Sequence, residues 1–150
     1  MNTNTLPATV MAAKEKFELA CKDASALQIV SNFGAAFTAV NVIALLREAM
    51  TDEVMDKVFM PLMNTKIGFL TDRNGRARSG GRAPLPLYTR DIVRDCIIDA
   101  VTIGLLPTGN QFNIIAERMY TTKEGYTSLL RKLGEIYFID TSYDKGQTQN

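Results

Sequence analysis

Residues 107–133 read PTGNQFNIIAERMYTTKEGYTSLLRKL, and three kinds of local chemistry follow one another along them. Pro107 to Gln111 is turn-forming. Phe112, Ile114 and Ile115 then sit in a strand-like segment, FNIIAE, for which apolar β-formers supply the propensity. Arg118 and Met119 can make a tight bend, and MYTT is a second short strand. Thr121 with Glu124 three residues later forms a capping box, after which GYTSLLRKL places Tyr126, Leu129, Leu130 and Leu133 at helical spacing, facing inward. The expectation is a β-hairpin over about Gln111 to Thr122, packed on a helix beginning near Lys123.

Upstream, Thr89 is placed to cap a helix whose Ile92, Val93, Cys96, Ile97, Ala100 and Val101 form a buried stripe. Gly104 ends it in the left-handed conformation, with Pro107 close behind. Residues 64–88 are different in character: IGF is a possible short strand, and the Gly, Arg, Pro and Ser mixture after it cannot hold a helix and has little to bury. That predicts a mobile loop, poorly ordered over Arg73 to Gly81. Thr51 with Asp52 and Glu53 starts another helix, apolar at Val54, Met55, Val58, Phe59 and Met63, which Pro61 bends or ends. Asp23 to Met50 is strongly apolar and predicts one long or two shorter helices, largely buried; Pro7 to Cys21 predicts a short helix. Beyond Gly134, IYFID reads as a strand and TSYDKGQTQN as a fraying polar tail.

The fold class expected is therefore α+β: a helix-rich single domain with a small antiparallel β-hairpin or sheet packed on helices. Its divisions are a helical arm over 1–22, a core over 23–140 with a basic mobile loop at 71–88, and a polar tail over 141–150.

Composition narrows the function. The chain has 150 residues, 46% apolar and 22% charged, and a formal net charge of +1, so no global field holds it to a polyanion and nucleic-acid binding must use local clusters of Arg and Lys. Such a cluster exists: Lys66, Arg73, Arg76, Arg78, Arg82 and Arg90 stand against Asp72 alone in residues 66–90. Forked guanidinium donors on an adaptable glycine-flanked chain suit phosphates, although a solvated insertion has the same composition. Histidine is absent, which removes the usual proton shuttle, Ser-His and Cys-His nucleophiles and most zinc sites with nitrogen ligands. No GxGxxG or GxxxxGK[ST] loop is present. Asp91, Asp95 and Asp99 share a helix face with Arg90 and Arg94 nearby, the pattern of a solvated face rather than a metal site. Cys21 and Cys96 stand alone and read as reduced thiols. No apolar run is long enough to span a membrane and no leader is legible, giving a cytoplasmic address. The expectation is binding without catalysis and without a cofactor.

The stretch TIGLLPTGNQFNIIAERMYTTKEGYTSLLRKL resembles the RecT/Redβ family of phage single-strand annealing recombinases, in which a helix ending in a Gly-Leu-x-Pro type turn is followed by a hairpin strand, a short second strand and a helix opened by a Gly-aromatic or Gly-hydrophobic pair. The matching residues are Gly104, Leu105 and Pro107 for the turn, Gln111 to Ala116 for the first strand, and Tyr120 to Tyr126 leading into the helix. KVFMPLMNTKIGFLTD and TRDIVRDCIIDAV are similar to the version carried by phages and prophages of Bacteroides-type hosts. The likeness covers roughly Met50 to Asp140, and it marks the chain as a short or truncated member, because family members continue well past this point.

The resemblance implies a DNA-binding protein of recombination that coats single-stranded DNA, anneals it to a complement without ATP, and forms a homo-oligomer. Chemistry and position then nominate Arg73, Arg76, Arg78 and Arg82 in the loop, and Arg118, Tyr120, Lys123, Tyr126, Arg131 and Lys132 at the hairpin and helix, for backbone charges and base stacking, with Phe112 as a further stacking ring. The same aromatics can equally be core and the same cations ordinary surface. The alternative function is a non-catalytic phage interaction or structural protein that docks on another phage or host protein through the apolar Asp23 to Met50 segment and the strand edge at IYFID.

Overall fold

A computed structural model describes residues 6–27 and 33–134 and shows a helix-rich α+β domain with a three-stranded sheet. Helix α1 (Ala8–Leu27) packs along α2 (Gly34–Ala49), and α1 runs unbroken past residue 22. Ala20 and Ala24 are fully buried there, so small side chains let the two axes approach. Thr51 caps the next helix through its Oγ1, which accepts from the Val54 N–H at 3.2 Å. That helix, α3 (Asp52–Val54), widens into a π-helical turn over Met55–Phe59 and tightens to a 3-10 turn over Met60–Leu62, where Pro61 denies it a donor.

The centre of the molecule is α4 (Arg90–Thr102), with Val93, Cys96, Ile97, Ile98, Ala100 and Val101 all buried. Thr89 stands at its N-cap, but its hydroxyl makes no bond to the helix. Gly104 at φ 94° closes the other end. Strands β1 (Leu70–Thr71), β2 (Phe112–Ile115) and β3 (Arg118–Thr121) lie in that order, and the helix over residues 123–134, α5, follows. Phe112 and Ile114 point from β2 into the core, where Phe112 stacks on Phe69 with ring centroids 5.1 Å apart. Full burial of rings and aliphatic chains of this size stabilises by about 1.5–3 kcal/mol each.

Charged residues finish the seam between α3 and α4. The guanidinium of Arg94, mostly buried, donates to the Met50 carbonyl at 2.8 Å and to Asp91 and Asp52 at 2.7 Å each. Arg90 reaches Asp56 at 2.7 Å, and Asp95 meets Arg47 from α2 at 3.3 Å. The acidic stripe of α4 thus faces solvent and arginines.

Several expectations change. The sheet is mixed, since β1 pairs parallel to β2 while β2 and β3 are antiparallel. The strand expected at IGF begins later, because the Gly109 and Asn110 N–H groups bond the carbonyls of Ile67 and Gly68, and a Cβ at Gly68 would lie 2.1 Å from the Leu62 carbonyl oxygen. The hairpin bend falls on Ala116 and Glu117, both at positive φ (50° and 66°), and not on Arg118 and Met119. The cap of α5 is Thr122, one residue later than expected, its Oγ1 accepting from the Gly125 N–H at 3.0 Å. Of the four α5 residues expected inward, only Leu129 packs on the core, while Tyr126, Leu130 and Leu133 are exposed. In α2, expected to be largely buried, one face is buried and the opposite face is not. The strand at IYFID and the polar tail lie outside the described residues.

Candidate nucleic-acid interface

The geometry of the hairpin starts with its tip. Two consecutive left-handed residues make a two-residue turn of the type that matches strand twist, for which Asn-Gly is the favoured sequence. Ala116 and Glu117 have no such preference, so tertiary bonds hold them. The Asp72 carboxylate accepts from the Ala116 N–H at 3.2 Å, the Tyr88 hydroxyl accepts from the Glu117 N–H at 3.1 Å, and that hydroxyl donates to Asp72 at 2.5 Å. The Cys96 thiol donates to the Glu117 carbonyl at 3.6 Å. Arg73 lies over the Tyr88 ring, 4.6 Å from its centroid, and reaches Glu117 at 3.9 Å. Burial pushes the Tyr88 phenol above its ordinary range, and the bond it donates to Asp72 adds to the shift.

This clamp fixes where the arginine loop leaves and re-enters the fold. Asp72 and Arg73 at one end and Tyr88 at the other are all attached to the hairpin tip, so the loop carrying Arg76, Arg78 and Arg82 is anchored there at both ends. A 3-10 turn at Ser79–Gly81 lies between Arg78 and Arg82, which pair in an isolated bridge. The Arg78 Nε donates to the Ala83 carbonyl at 2.9 Å and the Arg82 Nε to the Ser79 carbonyl at 3.2 Å, leaving the terminal guanidinium nitrogens outside those bonds.

The face of the sheet turned away from the core carries Leu70, Asn113 and Tyr120 in one cross-strand row and Ile115 beside Arg118 in the next. Tyr120 is 48% exposed. The Asn113 Oδ1 on the same face is buried without a hydrogen-bond partner. At the far end of the hairpin, Lys123, Glu124, Thr127, Ser128 and Arg131 of α5 face Gly109 and Gln111 across an open cleft of about 370 Å³. Gly125 makes this junction possible: a Cβ there would stand 2.0 Å from the Gln111 carbonyl oxygen. Arg118 thus stands at the tip end of β3 and the Lys123–Arg131 cleft beyond its other end, with the exposed Tyr120 on the strand between them.

The structure sorts the nominated residues. Arg76, Arg78, Arg82, Arg118, Tyr120, Lys123 and Arg131 are exposed, and Tyr126 is 60% exposed on α5. Arg73 is half-buried in the clamp. Lys132 is half-buried with its Nζ donating to the Gly104 carbonyl at 2.6 Å, where it satisfies the end of α4. Phe112 is core. Sequence reasoning missed Asp72, Tyr88, Asn113 and Gln111, none of which carries a pattern that marks its role before the loop and hairpin are brought together.

Among the described residues no group of three or more His, Cys, Asp or Glu side chains is placed to hold a metal, and no helix is long and apolar enough to cross a membrane. Both cysteines are free; burial pushes the Cys96 thiol up to about 11, and burial also raises that of Cys21. No family model, curated protein or solved structure matches the chain.

Proposed function

We propose that the chain binds single-stranded DNA and anneals it to its complement without ATP, as a relative of the phage RecT/Redβ recombinases. The observation that carries this is the open side of the hairpin: an exposed tyrosine between two groups of cations, on a strand whose other edge bears no partner among the described residues. Phosphates pair with Arg76, Arg78, Arg82 and Arg118 at the tip and with Lys123 and Arg131 at the cleft, while Tyr120 offers its ring to a base. Electrostatics and stacking act on every sequence alike, which is what a strand-coating protein needs. The work is binding and pairing, with no bond made or broken, and the host cytoplasm is where such a substrate would be met.

The test is fluorescence anisotropy of a labelled oligonucleotide against salt. Lys123→Glu with Arg131→Glu should weaken binding to all sequences and reduce the salt slope by about 1.4, from roughly 0.7 per phosphate contact. Tyr120→Ala should cost about 1–3 kcal/mol of affinity while leaving the melting temperature unchanged, because the ring is half in solvent. Lys132→Met should do the reverse, lowering stability and sparing affinity. Absence of any oligonucleotide shift at low salt overturns the proposal.

A further inference from the structure

The cleft between the hairpin and α5 holds one side chain whose orientation is fixed from outside the cleft. Gln111, half-buried just before β2, accepts from the Leu106 N–H through its Oε1 at 3.0 Å. An N–H cannot accept, so the amide has a single orientation, with its oxygen on Leu106 and its NH2 turned the other way. There Nε2 lies beside Gly109, 3.9 Å from where a Cβ on that glycine would stand, and both residues line the cleft. The backbone is held too: the Gln111 carbonyl accepts from the Thr122 N–H at 3.1 Å and abuts Gly125. Among the described residues nothing accepts from Nε2. Lys123 and Arg131 on the same lining enter no ion pair among the described residues. The Thr127 hydroxyl is engaged with the Lys123 carbonyl at 2.9 Å, and Glu124 is the single carboxylate on the lining.

We infer that Gln111 is a binding residue of this cleft: its fixed NH2 donates to a phosphodiester oxygen of the bound strand, whose charge Lys123 and Arg131 neutralise. This rests on the nucleic-acid reading above and adds to it a neutral, directional contact. Two long, mobile cations attract a phosphate without fixing where it sits. A donor already immobilised at its oxygen and its backbone loses no rotamer freedom on binding, so it sets the register of the strand against the hairpin. Capping the Leu106 N–H by itself requires only an acceptor, which a glutamate would supply equally well. The other half of the amide is what the cleft uses.

Fluorescence anisotropy of a labelled single-stranded oligonucleotide with the full chain, across a salt series and well below each melting transition, tests it. Gln111→Glu keeps the acceptor for Leu106 and replaces the donor by a charge of the wrong sign, so it should weaken binding by about tenfold or more while melting like the native chain. Gln111→Met removes the donor without adding charge and should weaken binding by about five- to tenfold. Its salt slope should match the native one, because a neutral donor displaces no counterion, whereas each lost cation takes about 0.7 from the slope. If Gln111→Glu melts early, Gln111→Met decides. Native affinity in either folded variant overturns the inference and leaves the nucleic-acid reading standing, as does a Gln111→Met loss that comes with a reduced slope. A native chain that fails to shift the oligonucleotide at low salt overturns both.

Discussion

Replacing Tyr88 by Phe isolates the bond that holds the hairpin tip. The ring is 2% exposed and stays buried, and its stacking with Arg73 survives, so only the hydroxyl is lost. With it go the bond to Asp72 and the acceptor for the Glu117 N–H. A buried polar group left without its partner costs about 1–3 kcal/mol, but Asp72 and Glu117 are exposed enough to recover water, which puts the expected loss at about 1–2 kcal/mol. For a chain of this length that is a fall in melting temperature of about 2–8 °C. Urea titration is the assay, and the midpoint should move with the slope unchanged, as for a local loss of stability. Glu117→Gly is the companion: it removes a left-handed penalty of about 1–2 kcal/mol at the cost of greater chain entropy when unfolded and loses only a long ion pair that solvent screens. It should stabilise, or be neutral at worst. A neutral Tyr88→Phe together with a destabilising Glu117→Gly would refute the account of a strained turn held by tertiary bonds.

Two further outcomes follow from the packing and the thiol. Gly125→Ala forces a Cβ to 2.0 Å from the Gln111 carbonyl oxygen, a backbone atom that cannot rotate away, and should destabilise by about 3 kcal/mol or more; a thermal melt that matches the native protein would show that α5 does not sit where it is described. Cys96 holds its proton more tightly folded than unfolded, so its contribution is complete below pH 9 and is lost as pH rises from 9 towards 11; in a Cys21→Ser background, thiolate absorbance of the native chain should titrate near pH 11, and a midpoint near 9 would contradict the burial.

Much of the fold is written locally. Gly104 before Leu105 and Pro107, the acids after Thr51 and the apolar stripe of α4 each act within a turn or two of the backbone, so a left-handed stop, a helix start and a buried helix face are legible without any partner in view. The strand-then-helix chemistry of residues 112–133 likewise locates a hairpin followed by a helix. What could not be read there depends on atoms far apart in the chain. Ala116 and Glu117 have no intrinsic preference for a tight turn, and the bend lands on them because Asp72 and Tyr88 wait on another segment. The parallel pairing of β1 follows from the Ile67 and Gly68 carbonyls meeting Gly109 and Asn110. Lys132 and Arg131 are neighbours of identical charge, yet one satisfies the end of α4 and the other lines a cleft, because a helix rotates successive residues by 100° and the packing partner lies on one side only. The same geometry explains α2, where composition reads as buried throughout although a single neighbouring layer can cover only one face of a helix.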